Sequence, residues 1–233
     1  MKTYRHEQKY LMNMAQYQEL VPVIHAMLDQ DKHVKDTGEY MIRSLYFDDM
    51  YQSAYQEKLS GVYSRKKYRI RIYNCQSQVI HLECKYKQGP YICKESLSLT
   101  QAEWEQIRKG DCHFLLKKNS PMGQEFCMDY LSKLLRPKVI VDYEREPYVL
   151  QAGTVRITFD KAVRAVKPDA DLFDKEAPSY LAIPPNQLIM EIKFTGYLPE
   201  KVRRLFHVRS LPQVSASKYC LCVDRLQGWF HWT

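Results

Sequence analysis

The stretch RKKYRIRIYN, residues 65–74, constrains the fold more than any other part of the chain. Arg65, Lys67, Arg69 and Arg71 occupy alternate positions, with Tyr68, Ile70 and Ile72 on the opposite parity. Successive side chains of a β-strand point to opposite faces, so this alternation predicts a strand with one cationic and one apolar face. The pattern recurs along the chain. HLECKYK sets His81, Glu83, Lys85 and Lys87 against Leu82, Cys84 and Tyr86, and VRITFD sets Arg156 and Asp160 against Val155, Ile157 and Phe159. IMEIKF sets Glu191 and Lys193 against Met190, Ile192 and Phe194, and RHEQK aligns Arg5, Glu7 and Lys9. A single face of this kind is ordinarily solvated. Several in one closed sheet must converge either inside or outside. Outside, the apolar residues would fill the interior. Inside, the interior would be a cage of cations, stable only when hydrated or filled by a polyanion, because unpaired buried charge is costly. The helices have apolar stripes that need a partner, which favours the inward arrangement, but periodicity alone leaves both open.

The remaining elements surround these strands. Strands are expected at 4–12, 40–49, 65–74, 78–87, 91–99, 138–148, 154–161 and 187–194. Helices are expected at 15–30, where Pro22 implies a kink or a late start, and at 53–61, 100–110, 122–135, 198–207 and 217–227. Thr100 followed by Glu103 fits a capping box, and Gly61 suits a helix C-terminus. Asp48 and Asp49 are read as a turn. No linker-like segment divides the 233 residues, so residues 1–233 are expected to form a single domain. The fold class is α+β, about eight antiparallel strands curling into a barrel with helices packed outside.

A net charge of +8 points to an anionic partner. Seven scattered cysteines without a CxxC pair predict buried thiols in a reducing cytoplasm rather than a disulfide framework or zinc knuckle. No apolar run reaches the roughly 18 residues of a membrane span, so a cytoplasmic chain is expected. The histidines are scattered and read as structural. There is no GxxxxGK[ST], and the eight glycines are dispersed, so phosphate would be held by side chains rather than a glycine cradle. No Ser-His-Asp or Cys-His arrangement is evident.

RHEQKY, RSLYFDD, KKYRIRIY, HLECKYK, KESLSL, DYEREPY, VRITFD, LIMEIKF and SASKY follow one another from Arg5 to about Arg225. In this order they resemble the VTC-type polyphosphate polymerase domains of the triphosphate tunnel metalloenzyme (CYTH-like) superfamily. The resemblance implies a closed antiparallel β-barrel whose cationic tunnel binds triphosphate or polyphosphate, which favours the inward arrangement of the charges. It also implies roles, position by position. Arg69, Arg71, Lys85 and Arg156 would act on the transferred phosphate. Lys9, Lys94, Tyr143, Arg145, Ser217 and Lys218 would bind the phosphates, and Glu191 would hold Mn²⁺ or Mg²⁺. Ser217 and Lys218 open the last helix, whose N-terminus also favours an anion. Glu7 and Glu83 either add metal ligands or orient the arginines.

Two positions depart from the family pattern. The ExExK signature of the superfamily is here Arg5-x-Glu7-x-Lys9, and Ser215 stands where the eukaryotic polymerases have a lysine. The inositol-phosphate-sensing SPX module and the membrane helices of those larger proteins are missing from this sequence, and whether a separate membrane partner supplies the transmembrane part is left open by the resemblance.

The implied reaction moves the γ-phosphate of ATP onto a polyphosphate chain. Such a transfer needs charge neutralisation and in-line positioning more than covalent help. A triphosphatase in the same tunnel and a non-catalytic polyphosphate-binding module are the alternatives. The charge by itself would also permit nucleic-acid binding through an exposed basic surface, but the resemblance implies no nucleic-acid partner.

Overall fold

The computed structural model describes residues 4–32, 34, 38–150, 155–207 and 211–228. The order of elements is β1 (Arg5–Asn13), α1 (Met14–Met27), β2 (Asp29–Gln30), β3 (Tyr40–Asp48), α2 (Ser53–Leu59), β4 (Ser64–Tyr73), β5 (Gln76–Gln88), β6 (Tyr91–Leu99) and α3 (Gln101–Arg108). A 3₁₀ turn (His113–Lys117) follows, then α4 (Pro121–Ser132), β7 (Arg136–Leu150), β8 (Val155–Val166), β9 (Ser179–Leu181), β10 (Gln187–Phe194), α5 (Glu200–His207) and α6 (Lys218–Gln227).

Eight of the strands form a ring. The order β7-β3-β4-β5-β6-β1-β10-β8 returns to β7 through the β7–β8 pairing, and β2 and β9 pair in addition with β7 and β8. All pairings are antiparallel. The β4–β5 hairpin turns on Asn74 and Cys75, both left-handed at φ 51° and 53°, as a tight two-residue turn that matches the strand twist requires. The Asn74 side chain also accepts the Met41 N–H at 2.9 Å. The β5–β6 hairpin turns at Gly89, φ +55°, where a Cβ would lie 2.7 Å from the Tyr63 ring. The thinnest joint is between β1 and β6, which share only Arg5↔Ile92 and His6↔Tyr91. Beyond it the free edge of β1 is covered by the segment ahead of α6, through Val214 N–H to the Lys9 carbonyl at 2.8 Å.

The apolar faces of the strands point outward and are covered by helices. Tyr68, Ile70, Ile72, Leu82 and Cys84 pack with Trp104 and Ile107 of α3 and Phe126 and Tyr130 of α4. Ile157, Phe159, Met190 and Ile192 pack with Leu20 and Ile24 of α1. Each covering helix starts where its sequence directs. Thr100 and Glu103 form the expected capping box, Asn13 and Gln16 form another at α1, and Ser120 caps α4 ahead of Pro121.

The structure corrects the expectation that all helices lie outside. The inward positions of β7, β8 and β10 at one end of the ring are apolar (Val139, Val141, Val163, Ala165 and Ile189), and α6 closes over them with Tyr219, Cys222 and Val223. An apolar inner face needs cover as much as an outer one. The parity of β8 changes at Ala162, whose φ of 47° accompanies a register shift against β7. This keeps Asp160 and Val163 on the same side, as a β-bulge does. Helix α1 runs through Pro22 from Met14 and ends at Met27, so residues 29–30 belong to β2 instead. Its capping box sets the early start, and Pro22 removes only one backbone donor. Asp48 does more than turn the chain. Buried at the end of β3, it accepts the N–H groups of Asp49, Ala54 and Tyr55 and the hydroxyl of Tyr219, tying α2 to α6. All seven cysteines are free and buried. No described helix is long and apolar enough to cross a membrane.

Candidate functional site

The inward faces of the ring converge on a chain of cavities. The largest, about 520 Å³, is lined by Arg69, Arg71, Lys85, Lys94, Arg145 and Arg156 among others. A tighter space of about 80 Å³ shares Arg69, Arg71, Lys85 and Arg145 with it and adds Lys9, Tyr143, Glu191, Ser217 and Lys218. The eleven residues singled out in the sequence therefore face one interior. A third cavity, about 350 Å³, shares Lys9, Lys85 and Ser217 and opens among Lys58, Arg65, Lys66 and Lys87.

Strand register explains the convergence. Arg71, Arg69 and Lys67 on β4 lie opposite Ser44 and Tyr46 of β3 and His81, Glu83 and Lys85 of β5. Across the ring, Lys9 pairs with Glu191 and Glu7 with Lys193. Partners in an antiparallel ladder point to the same face, so each pairing places two functional groups in the interior.

Each buried carboxylate serves several cations. Glu191 meets Lys218 at 2.7 Å, Lys193 at 3.0 Å, Lys9 at 3.3 Å and Arg145 at 3.5 Å. Glu83 meets Arg69 at 2.6 Å and Lys94 at 2.5 Å. Glu7 meets Lys85 at 2.8 Å and Lys9 at 3.4 Å. Asp160 holds Arg145 in a two-point fork, both contacts at 2.6 Å, and also touches Lys218. Burial by itself would raise these carboxyls. The lysines around Glu7 and Glu191, and Arg69, Arg71 and Lys94 around Glu83, outweigh it and hold all three well below the usual range. Arg145 and Lys218 also lie over the ring of Tyr143, at 5.1 and 4.9 Å from its centre.

The compensation is incomplete. Among the described residues no carboxylate pairs with Lys67. Its ammonium reaches only the Ser217 hydroxyl at 3.2 Å and the face of Tyr219 at 5.2 Å. Burial brings it down to about 8. Lys85 is also brought down to about 8 by burial, in spite of Glu7 and helped by Lys9. Arg71 contacts the neutral Ser44 and Tyr143 hydroxyls at 3.3 and 3.1 Å, with Glu83 no nearer than 3.8 Å. Burial would raise the Tyr46 phenol, but Arg69, Arg71 and Lys67 bring it to about 8. The interior thus carries an excess of positive charge in a place that water only partly reaches.

Two sequence candidates sit toward the rim. Arg156 is a third exposed, paired with Asp31 at 2.8 Å and donating to Tyr40 at 3.2 Å. Lys94 is half exposed. Ser217 is the N-cap of α6, accepting the Cys220 N–H. Glu83, left open between metal ligand and arginine support, is fully engaged with cations. Lys67, Lys193 and Asp160 are interior residues that were not selected from the sequence. All three lie on the alternating charged faces, so the signal that found their neighbours also covers them. Among the described residues no group of three His, Cys, Asp or Glu side chains is disposed to hold a metal ion.

Comparison with known proteins places this geometry. No curated protein matches the sequence. A candidate adenylate cyclase from Bacillus halodurans is similar in structure, with a TM-score of 0.57 and 13% identity over 99% of this chain and 99% of the other. A candidate adenylyl cyclase from Hippeastrum, described as having a dominant triphosphatase activity, gives a TM-score of 0.55 and 12% identity over 100% of this chain and 98% of the other. At these identities the likeness is one of fold. The VTC domain matches residues 4–227, a span that includes every strand of the ring and α6, and the chain belongs to the VTC domain family.

Proposed function

We propose that this protein is a phosphotransferase acting on triphosphate-type anions, specifically a metal-dependent polyphosphate polymerase that moves the γ-phosphate of ATP onto a polyphosphate chain. The observation that carries the reading is the excess of cations over carboxylates inside a ring of strands, with Lys67 paired to no carboxylate among the described residues and Arg71 in close contact only with neutral hydroxyls. Family membership supports it, as does the triphosphatase activity described for the Hippeastrum protein of the same fold.

On this reading the interior is a cationic tunnel. Arg69, Arg71 and Arg156 grip phosphate oxygens as forks, and Lys9, Lys85, Lys94 and Lys218 act as adaptable point charges. The Tyr143 hydroxyl, Arg145 and Ser217 complete the cradle. A terminal oxygen of the acceptor polyphosphate attacks the γ-phosphorus, the bond to the β–γ bridging oxygen breaks, and ADP leaves with that oxygen. The acceptor is already anionic, so no strong general base is required, and stabilisation comes from fixed charge aimed at the equatorial and leaving oxygens.

The metal reading rests on Glu191. Its two oxygens are occupied by Lys218 and Lys9 on one side and Lys193 and Arg145 on the other. A self-sufficient protein cage for a metal does not fit such surroundings. One carboxylate together with phosphate oxygens does fit Mg²⁺ or Mn²⁺, which are commonly held by one or two carboxylates plus substrate phosphates. Bound in that way, the ion would neutralise charge on the β- and γ-oxygens.

The test is product analysis after incubating the protein with ATP and Mn²⁺. Long polyphosphate supports the polymerase. Orthophosphate alone supports a triphosphatase in the same cavity, the second reading, which the Hippeastrum neighbour favours. Tight, salt-sensitive binding without turnover overturns both in favour of a binding module.

A further inference from the structure

The two ends of the chain of cavities differ in chemistry. The third cavity, at the end where Lys58, Lys66 and Lys87 emerge, has no aromatic residue in its described lining. The large cavity at the other end is lined not only by cations but also by Tyr40, Tyr73 and Ile42, none of which lines the third cavity. Tyr40 and Tyr73 meet edge to face, with ring centres 5.8 Å apart, and both are half-buried. A bare polyphosphate has only charged oxygens to offer, and an apolar aromatic wall does nothing for it. A nucleobase has a π-face and an apolar surface, and aromatic side chains bind such faces with little regard to which base they carry.

We propose that Tyr40 and Tyr73 form the platform for the base of a nucleoside triphosphate, so that the large cavity holds the donor with its base at this mouth and its phosphates pointing inward. The proposal rests on the reading of the interior as a triphosphate site. The register supplies the spacing. Tyr73, Arg71, Arg69 and Lys67 are consecutive inward positions of β4, about 7 Å apart along a strand. A base on Tyr73 would have its ribose across the first step and its phosphates beside Arg71 and Arg69. Tyr40 lies opposite Arg145 in the β3–β7 ladder, and its hydroxyl takes a hydrogen bond from Arg156 at 3.2 Å. The ring is thereby held in place by a residue that also borders the phosphate path. Recognition by ring stacking, with no side-chain amide against a base edge, predicts preference for nucleotides over inorganic triphosphate but weak choice among bases, purines ahead of pyrimidines by their larger face.

The experiment compares equilibrium affinities of ATP, CTP and inorganic tripolyphosphate, metal-free and at fixed ionic strength, for the full chain and for Tyr73→Ala, Tyr73→Leu and Tyr73→Phe. Tyr73 is chosen because Tyr40 also holds Arg156. Expected are tighter binding of ATP than of CTP by the unaltered protein and a loss of about five- to fiftyfold in ATP affinity for Ala and Leu. Tripolyphosphate affinity should stay within about twofold, and Phe should restore ATP binding. Leu keeps an apolar side chain but has no π-face, so a loss there with retained tripolyphosphate binding separates stacking from collapse of the fold. ATP and tripolyphosphate weakening together, or ATP binding unchanged in Ala and Leu, would overturn the platform while leaving the triphosphate site intact. Failure of the unaltered protein to bind tripolyphosphate or ATP would instead remove the underlying reading.

Discussion

Lys67 and Lys85 are direct partners across the β4–β5 ladder, and both project into the same interior. Lys94 is in turn the partner of Lys85 on β6, so three lysines stand in a row across three strands. Like charges directly opposite one another destabilise a sheet, and here the row is maintained where a ring of strands could have placed neutral residues. An anion lying along the row converts this repulsion into attraction.

The first prediction concerns pH. Lys67 and Lys85 both titrate at about 8 in the free protein. A phosphate beside an ammonium favours the charged form, so binding raises both values. Below pH 8 the lysines are already charged and binding takes up few protons. Above pH 8 each must acquire a proton, and affinity falls as pH rises, by up to about tenfold per unit for each lysine until the bound-state value is reached. Calorimetric titration of tripolyphosphate in buffers of different ionisation enthalpy should show proton uptake at pH 8.5–9 and little at pH 7. Lys67→Arg, charged throughout, should shift the decline to higher pH. A profile flat from pH 7 to 9.5 would contradict the assignment.

The second separates two neighbouring arginines. Arg71 makes its close contacts with neutral hydroxyls, whereas Arg69 is fixed to the buried Glu83. Arg71→Ala should therefore weaken tripolyphosphate binding by about ten- to a hundredfold, the loss of charge-assisted hydrogen bonds, with melting temperature unchanged or higher. Arg69→Ala should weaken binding and also cost about 1–3 kcal/mol of stability, because Glu83 loses its nearest arginine. Denaturant titration alongside the binding assay distinguishes the two. Equal stability losses would mean that Arg71 is as structural as Arg69.

The third prediction concerns Glu191, which four cations share. Glu191→Gln removes one negative charge from among them, so metal-free tripolyphosphate should bind as well as before or better. Mn²⁺-dependent turnover of ATP should fall by on the order of a hundredfold, the usual loss when one electrostatic stabiliser is removed. Chelation of the metal should abolish turnover of the unaltered protein and remove the residual Mn²⁺-dependent turnover of the variant. Wild-type turnover in Glu191→Gln would exclude Glu191 as the metal carboxylate.

The ring of strands was legible in the sequence because each strand carries a period-two signal, and β10 was placed to the residue, 187–194. The short β2 and β9 were not, since two or three residues cannot display a period. The inward charges were found as faces, but alternation does not say which face is inside. Arg43 illustrates the limit. It lies in the same RSLYFDD stretch as Tyr46, on the opposite parity, and is almost wholly buried on the outer side, in a two-point contact with Asp142 at 2.9 and 2.7 Å and against the Leu172 carbonyl. By residue type it is indistinguishable from Arg71. Only the closed ring separates a cation facing the cavity from one that clamps the 167–176 loop. The role of α6 was hidden for the same reason. Val139, Val141 and Val163 look like any strand core until the ring places them inside, where a helix must cover them.

The last prediction links the outer core to the interior. Phe126 of α4 is fully buried among Phe47, Tyr68 and Tyr130, with ring centres 5.3, 5.2 and 5.7 Å away, on the side of β4 opposite to Arg69 and Arg71. Phe126→Ala should cost about 3–5 kcal/mol, from lost transfer energy and the cavity left behind. It removes no group from the interior, so the ligand response should survive. At a tripolyphosphate concentration 100 times the dissociation constant, both the unaltered protein and Phe126→Ala should gain about 2.7 kcal/mol. Arg71→Ala at the same concentration should gain measurably less, because its affinity is lower. Denaturation curves with and without tripolyphosphate read all three. A Phe126→Ala protein that folds but has lost the ligand-induced shift would mean that the strand's outer packing sets the geometry of its inner charges, and that the two faces of β4 are not independent.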